Sequence, residues 1–363
     1  MEFNKSILKE LDGFRVLAVL LVVSFHISFY FDALPGYNTI IGTGYLGVQL
    51  FFLLSSFLLA RQFLTTYSIG TNTKEYILTF FKKRVCRIYP LFIFSSIILY
   101  LIGYKHIELT FGTVIKYFFF IEDIHLNPVI WSLFVEMRFY LVLPVLMHSI
   151  CLLITRNKIR EVYILLFVLA GISYGYRFYH LYYYGIEKGE DFLYESFWAN
   201  IDCLALGIAG AVIYERSKYL IINRTTLYFI FTVSGCILFY AMNIKYYKLY
   251  NHAFIPQMVF SICNIAWMLA ILSLLFLRQG KLNRVFSLNI FVYLSTISYG
   301  IYIWHLPIRD YIYDLCHALT LKGILGILVA PLTTWTVTIL ISMICYKCLE
   351  KPLLYKRKTI VKI

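Results

Sequence analysis

An arginine and a histidine stand eleven residues apart at the start of the chain's first apolar run. Leu11-Asp12-Gly13-Phe14-Arg15 opens the run, and His26 follows deeper in it. On a helix, eleven steps of about 100° come to roughly 20° past three full turns, so Arg15 and His26 share a face about 16 Å apart along the axis. Ionisable groups at membrane depth are costly, which makes a functional site the first idea to test. Imidazole exchanges a proton near neutral pH, and the guanidinium fork matches phosphate oxygens. A plainer reading stands beside each. Arg15 suits a positive-inside anchor paired with Asp12, three residues earlier. His26, with Ser24 and Ser28 nearby, suits a core histidine bonded to a tyrosine or a carbonyl.

Five further groups carry chemistry. Lys83, Arg84 and Arg87 form a tight basic run ahead of an expected helix. It fits either anionic lipid headgroups or the phosphates of a soluble ligand. Glu136 lies inside an apolar segment with Tyr140 one turn later, while Arg138 points about 200° away. A buried carboxylate needs a partner from another helix, and His26 and Arg15 are the candidates. His26 beside Glu136 would have its tautomer fixed and its imidazolium stabilised. Asp202, His305 (just before Pro307) and Glu350 (in Glu350-Lys351-Pro352) form a second tier. Asp202 is a pathway candidate. His305 either lines a cavity or bonds backbone freed at the proline. Glu350 marks a helix stop with a possible place in a ligand site.

The elements that must position these residues are membrane helices. The chain has 363 residues, 61% hydrophobic and only 14% charged, where a soluble domain carries roughly 25% charged residues. Ten apolar segments are long enough to span a bilayer: Phe14–Leu34, Tyr45–Leu64, Ile88–Tyr104, Val129–Ile154, Val162–Leu181, Phe197–Tyr214, Leu227–Asn243, Phe254–Leu277, Ile290–Ile312 and Gly323–Cys345. With the N-terminus inside, every inner connection is basic, from Lys5 and Lys9 through Arg156, Lys158 and Arg160 to the tail after Cys345. The expectation is an all-α, polytopic protein with both termini cytoplasmic. A single transmembrane domain over residues 1–363, with no appended soluble domain, is expected.

Outer connections are acidic: Glu187, Glu190, Asp191 and Glu195 in one, and Glu108, Glu122 and Asp123 around the aromatic run Phe111–Ile121. That run is expected to lie in the interface or to re-enter. The net charge of +14 follows from topology, and no soluble basic domain is present to bind nucleic acid. The eight cysteines are scattered, mostly in apolar runs, and the lone Cys345-x-x-Cys348 pair has no second pair to complete a zinc site. Neither a disulfide nor a metal site is read.

Several of these residues fall into an order that resembles membrane-bound acyltransferase family 3, the O-acyltransferases of surface glycans. Arg15 and His26 resemble the family's Arg-x10-His signature. Gly47-Val48-Gln49-Leu50-Phe51-Phe52 is similar to its glycine-valine-aspartate-leucine-phenylalanine-phenylalanine run. Lys83-Arg84 with Arg87-Ile88-Tyr89-Pro90, Trp131-Ser132-Leu133-Phe134-Val135-Glu136, Ser298-Tyr299-Gly300-Ile301-Tyr302-Ile303-Trp304-His305 and Glu350-Lys351-Pro352 complete it. The matches run from about residue 11 to residue 352. Gln49 stands where the family often has aspartate, Ser56 where it usually has glycine, and Asn200 where arginine is frequent.

The resemblance implies transfer of an acyl group, most simply acetyl, from cytoplasmic acyl-CoA to a hydroxyl of a cell-surface or lipid-linked glycan such as lipopolysaccharide O-antigen. Acetyl-CoA is then a donor substrate and no cofactor is bound. His26 becomes the general base, or less simply an acyl carrier, with Glu136 and Arg15 beside it. Arg15, Lys83, Arg84 and Arg87 become contacts for the donor's phosphates. The expected location is a bacterial inner membrane, with membrane lipids as neighbours. The rival reading is a transporter of a lipid-linked sugar or small anionic solute, because buried charges also mark transport pathways. No inverted repeat is visible in the hydropathy to favour it.

Overall fold

The computed structural model describes residues 8–28, 44, 46–67, 73–105, 107, 110–184, 194–242, 255–319 and 324–353. All regular structure among them is helical. In chain order the helices are α1 (Glu10–Ile27), α2 (Leu46–Tyr67), α3 (Thr73–Leu101), α4 (Phe111–Phe118), α5 (Trp131–Thr155), α6 (Ile159–Tyr184), α7 (Ile201–Ser217), α8 (Arg224–Met242), α9 (Ile255–Leu277), α10 (Lys281–Phe286), α11 (Asn289–Ala318) and α12 (Ile324–Cys345). A 3-10 turn (Trp198–Asn200) leads into α7, and a π-helical turn (Tyr346–Glu350) continues α12.

Each expected apolar segment has a long helix at its place. Part of the first segment, beyond residue 28, and the acidic residues Glu108, Glu187, Glu190 and Asp191 lie outside the described residues. Among the described residues, seven helical stretches are long and apolar enough to cross a membrane: Leu46–Thr66, Lys74–Leu101, Trp131–Thr155, Ile159–Tyr184, Arg224–Ala241, Met258–Leu277 and Leu328–Leu353. Large apolar side chains such as Phe167, Val168, Leu332 and Ile344 stand exposed on them, as lipid contact requires and water does not tolerate over such an area. The protein is a multi-pass membrane protein. The three long helices outside that set are α1, α7 and α11. They carry Arg15 and His26, Asp202, and His305, respectively, and α7 is also the shortest of them at 17 residues.

One expectation is corrected. Lys83, Arg84 and Arg87 do not precede a helix; they lie within α3, which begins at Thr73 and runs to Leu101. Lysine and arginine are good helix formers, and their long apolar stems pack while the charge reaches out. The fall in hydropathy there marks a polar stretch of helix, not its end.

Helix α1 packs against both α2 and α11, and α2 packs along α7. Close approach is built from small residues, as in membrane helix pairs generally. A Cβ on Gly47 would stand 2.5 Å from the carbonyl oxygen of Ala18, which seals α2 to α1. A side chain on Gly207 of α7 would collide with Ser56 and with the Leu53 carbonyl of α2. Ser56 is fully buried there, so the room for close contact is provided by α7.

Short α4 folds back against the middle of α3. Its end is held by Tyr89, whose hydroxyl donates to the Phe118 carbonyl at 3.2 Å. Phe92, Phe120 and Phe134 close the same junction through ring contacts. The chain from Phe119 to Ile130 therefore runs along the side of the bundle, with Phe119 and Ile121 exposed and Phe120, Leu126 and Asn127 buried against it.

Candidate functional site

The first layer of the site lies near the start of α1. Ser295 of α11 donates to Asp12 Oδ1 at 2.6 Å and accepts from Arg15 Nη1 at 3.2 Å. Asp12 and Arg15 are themselves 3.9 Å apart. The pairing anticipated from the sequence is thus present but loose, with a serine inserted, and it leaves Arg15 on the wall of a cavity.

That cavity has a volume of about 110 Å³. Three guanidiniums line it, those of Arg15, Arg84 and Arg87, together with Glu136, Ser55 and Tyr302. Glu136 accepts from Ser55 at 2.6 Å and from Tyr140 one turn along α5. The Arg84 guanidinium lies over the Tyr140 ring at 5.7 Å and the Phe80 ring at 5.9 Å, and its buried Nε has no hydrogen-bond partner. Glu350 comes up behind this wall. It is buried in the π-helical turn, packed against α3, in electrostatic contact with Arg87 and with Oε1 unpaired. The cavity lining thus carries three cations and one anion, in a low-dielectric setting where the field of the excess charge is strong. Such a lining suits an anionic ligand with several oxygens.

The second layer lies beyond Tyr302. The Tyr302 hydroxyl contacts Ser132 Oγ at 2.7 Å and donates to the Val129 carbonyl at 3.1 Å, which fixes the ring at the end of the cavity. One turn further along α11, His305 Nδ1 meets the Tyr302 carbonyl at 2.6 Å. On its other side, His305 Nε2 stands 2.9 Å from His26 Nδ1. Arg309 Nη1 donates to the His26 carbonyl at 3.0 Å. Its Nε donates to Asp310 at 2.8 Å, and Tyr104 donates to the same carboxylate at 2.6 Å. The carbonyl that Pro307 deprives of its helical N–H belongs to Ile303. It is satisfied by Asn127 Nδ2 at 2.9 Å, so Asn127 and His305 divide the polar backbone near the proline.

The site residues expected from the sequence therefore fall into three places. Arg15, Arg84, Arg87 and Glu136 meet in one cavity. Lys83 shares their helix but is not in the lining. His26 and His305 form a pair in the next layer. Glu136 does not reach His26: its partners are Ser55 and Tyr140, and the group on His26 Nδ1 is a second imidazole. The spacing of Trp131 to Glu136 gave no hint that α5 aims its carboxylate at α2.

Asp202 is elsewhere. It pairs with Arg177 of α6 at 2.7 Å and accepts from Ser261 at 3.1 Å and from the Cys203 N–H at 2.8 Å. Beside it, Gln49 donates to Asn200 at 2.8 Å and accepts from Asn264 at 3.4 Å. Sequence reasoning missed Arg177, Ser295 and Arg309. The available signal was a cation within a spanning segment, present at Arg177 and at Arg309.

The acyltransferase domain family (Acyl_transf_3) matches residues 8–347. Among curated relatives, a protein provisionally named as an acetyltransferase in Acidianus two-tailed virus is 26% identical over 88% of this chain and 84% of its own length. A protein provisionally named as an O-acetyltransferase in Staphylococcus aureus strain COL is 22% identical over 94% of this chain and 56% of its own. The peptidoglycan O-acetyltransferase of Listeria monocytogenes is 22% identical over 84% of this chain and 50% of its own. The chain thus spans about half the length of the two bacterial relatives. No solved structure matches it. With a family match from the start of α1 to the π-helical turn after α12, the chain belongs to membrane-bound acyltransferase family 3 and is an acyltransferase.

Proposed function

We propose that this protein transfers an acetyl group from cytoplasmic acetyl-CoA to a hydroxyl of a cell-surface or lipid-linked glycan across a bacterial inner membrane, using ten spans with both termini inside. The observation that carries this reading is the succession along α11. A cavity with three guanidiniums leads to Tyr302, and the His26–His305 pair is the next layer. Arg15, Arg84 and Arg87 suit the phosphates of the donor, with the acyl end directed toward Tyr302. His26 takes the acceptor's hydroxyl proton as the oxygen attacks the thioester carbonyl. The C–O ester bond forms, the C–S bond breaks, and the proton passes to the departing thiolate, which leaves as free coenzyme A. Glu136 serves the donor cavity, where it holds Ser55 and Tyr140, the ring under Arg84.

O-Acetyl transfer is named for the bacterial relatives, and the peptidoglycan acceptor named for the Listeria protein supports a surface glycan as the class. The test is direct. Protein reconstituted in proteoliposomes with acetyl-CoA inside is expected to release coenzyme A only when a glycan acceptor is supplied. Mass spectrometry then finds the ester on the glycan. His26→Ala should abolish both signals at equal protein amount. Ester formation that survives the substitution would overturn the role of His26.

A further inference from the structure

The two histidines lie in a chain of hydrogen bonds whose direction can be read from chemistry. The Tyr302 carbonyl has lone pairs and no proton. In its 2.6 Å contact with His305 the proton therefore sits on Nδ1 of the ring. A neutral imidazole protonated at Nδ1 has a bare Nε2. Across the 2.9 Å gap His26 Nδ1 must then be the donor. Two imidazolium rings would face each other with two donors and no acceptor, beside the Arg309 guanidinium that binds the His26 carbonyl. That arrangement has no hydrogen bond and adds like charge.

We infer that His305 is a positioning residue that fixes His26 as the Nδ1–H tautomer and leaves the Nε2 lone pair of His26 as the base of the reaction. The inference rests on the acyl-transfer reading above. His305 stands where a carboxylate stands in a serine-histidine-aspartate triad, and it acts in the same way. It orients the ring, selects the tautomer and accepts a hydrogen bond from the imidazolium once Nε2 of His26 has taken the hydroxyl proton. Being neutral, it does so without placing a buried anion beside an approaching anionic donor.

The surroundings hold both rings in place. His26 lies in the last turn of α1, where carbonyls lack helical donors, and Arg309 supplies one. Asp310 and Tyr104 in turn hold Arg309. His305 is fully buried on α11 and is not part of the donor cavity.

The test is a substitution series with a spectroscopic readout. In His305→Gln the side-chain oxygen reaches the Nε2 position and still accepts from His26. His305→Asn keeps only the bond to Tyr302, and His305→Leu keeps neither. Acetyl transfer by the Gln variant should stay within about tenfold of wild type in kcat, while Asn and Leu lose at least about a hundredfold. The KM for acetyl-CoA should be unchanged in all three. Solid-state 15N spectra of histidine-labelled wild-type protein in bilayers should show His26 protonated at Nδ1. They should show the other tautomer gaining population in the Leu variant. Equal activity in the Gln and Leu variants, or a wild-type His26 protonated at Nε2, overturns the inference. A wild-type protein that transfers no acetyl group overturns the functional reading, and the spectrum alone then decides the tautomer.

Discussion

Arg177 of α6 and Asp202 of α7 form an ion pair at 2.7 Å with side-chain exposures of only 2% and 7%. The Cys203 N–H and two serines, Ser173 and Ser261, satisfy the remaining lone pairs of the carboxylate. Burying two charges is costly, and removing one partner leaves the other unpaired. Arg177→Met or Asp202→Leu alone should destabilise the fold by roughly 3–5 kcal/mol, and the two together should recover much of the loss. Thermal unfolding in detergent measures this. A double variant no more stable than either single would show that the pair is not coupled.

Much of this architecture was legible in the sequence, and the limits have physical causes. Every long helix was placed because an apolar run of about twenty residues has few alternatives in a bilayer. The Arg15, Arg84, Arg87 and Glu136 grouping was visible as charge where charge is costly. Partner choice was not. Asp202 was noticed while Arg177, hidden between Tyr176 and Phe178, was not, because the contact joins two helices and leaves no local pattern. Glu136 had both His26 and Arg15 as candidate partners, and it shares the cavity with Arg15 and not with His26; a helix period says which residues share a face, not which helix they face.

Glu136 is a testable case of that difference. Its carboxylate holds Ser55 and Tyr140, and Tyr140 lies beneath Arg84. Glu136→Ala should free the ring and raise the KM for acetyl-CoA at least tenfold, a loss of about 1.4 kcal/mol in donor binding. Glu136→Gln keeps an oxygen for both donors, and its KM should stay within about threefold of wild type by the same scale. The pH dependence of kcat should not move in the Gln variant, since the side chain does not touch His26. A shifted profile would return Glu136 to the imidazole.

The basic stretch of α3 divides by what it faces. Arg84 and Arg87 line the cavity and Lys83 does not. Charge-assisted hydrogen bonds contribute about 1.5–3 kcal/mol each, so Arg84→Gln and Arg87→Gln should each raise the donor KM by roughly ten- to a hundredfold. Lys83→Gln should change it by less than about twofold, as for a charge outside the site. Steady-state kinetics at low ionic strength separates the three. Equal effects at all three positions would mean that a diffuse surface field, and not the cavity, attracts the donor.

Asp123 lies in the segment between α4 and α5, outside the spanning helices. Burial pushes its carboxyl above the ordinary value of 3.8, opposed by a hydrogen bond from the His125 N–H. Its Oδ2 is buried without a partner. A carboxylate whose folded value is raised binds its proton more tightly in the folded state, so stability declines as pH rises from the ordinary value through the folded one. Asp123→Asn keeps the oxygen that accepts from His125 and removes the charge. It should raise the unfolding temperature at pH 7, and the gain should shrink as pH falls toward 3.8. A gain that persists unchanged at low pH would mean that charge burial is not its source.

Pro307 and Asn127 should prove energetically coupled. The proline lacks an N–H, which leaves the Ile303 carbonyl of α11 without its helical donor, and the buried Asn127 side chain supplies one at 2.9 Å. Asn127→Ala strands that carbonyl and should cost about 1–3 kcal/mol. Pro307→Ala restores an N–H one turn on from Ile303, so in that background the Asn127→Ala penalty should largely vanish. The double-mutant cycle by thermal unfolding reads this coupling. His305 sits two residues before the proline on the same turn, so Asn127→Ala should also lower kcat while leaving the donor KM in place. A penalty of equal size in both backgrounds would mean that Asn127 contributes packing alone and that the turn of α11 holding His305 is supported by something else.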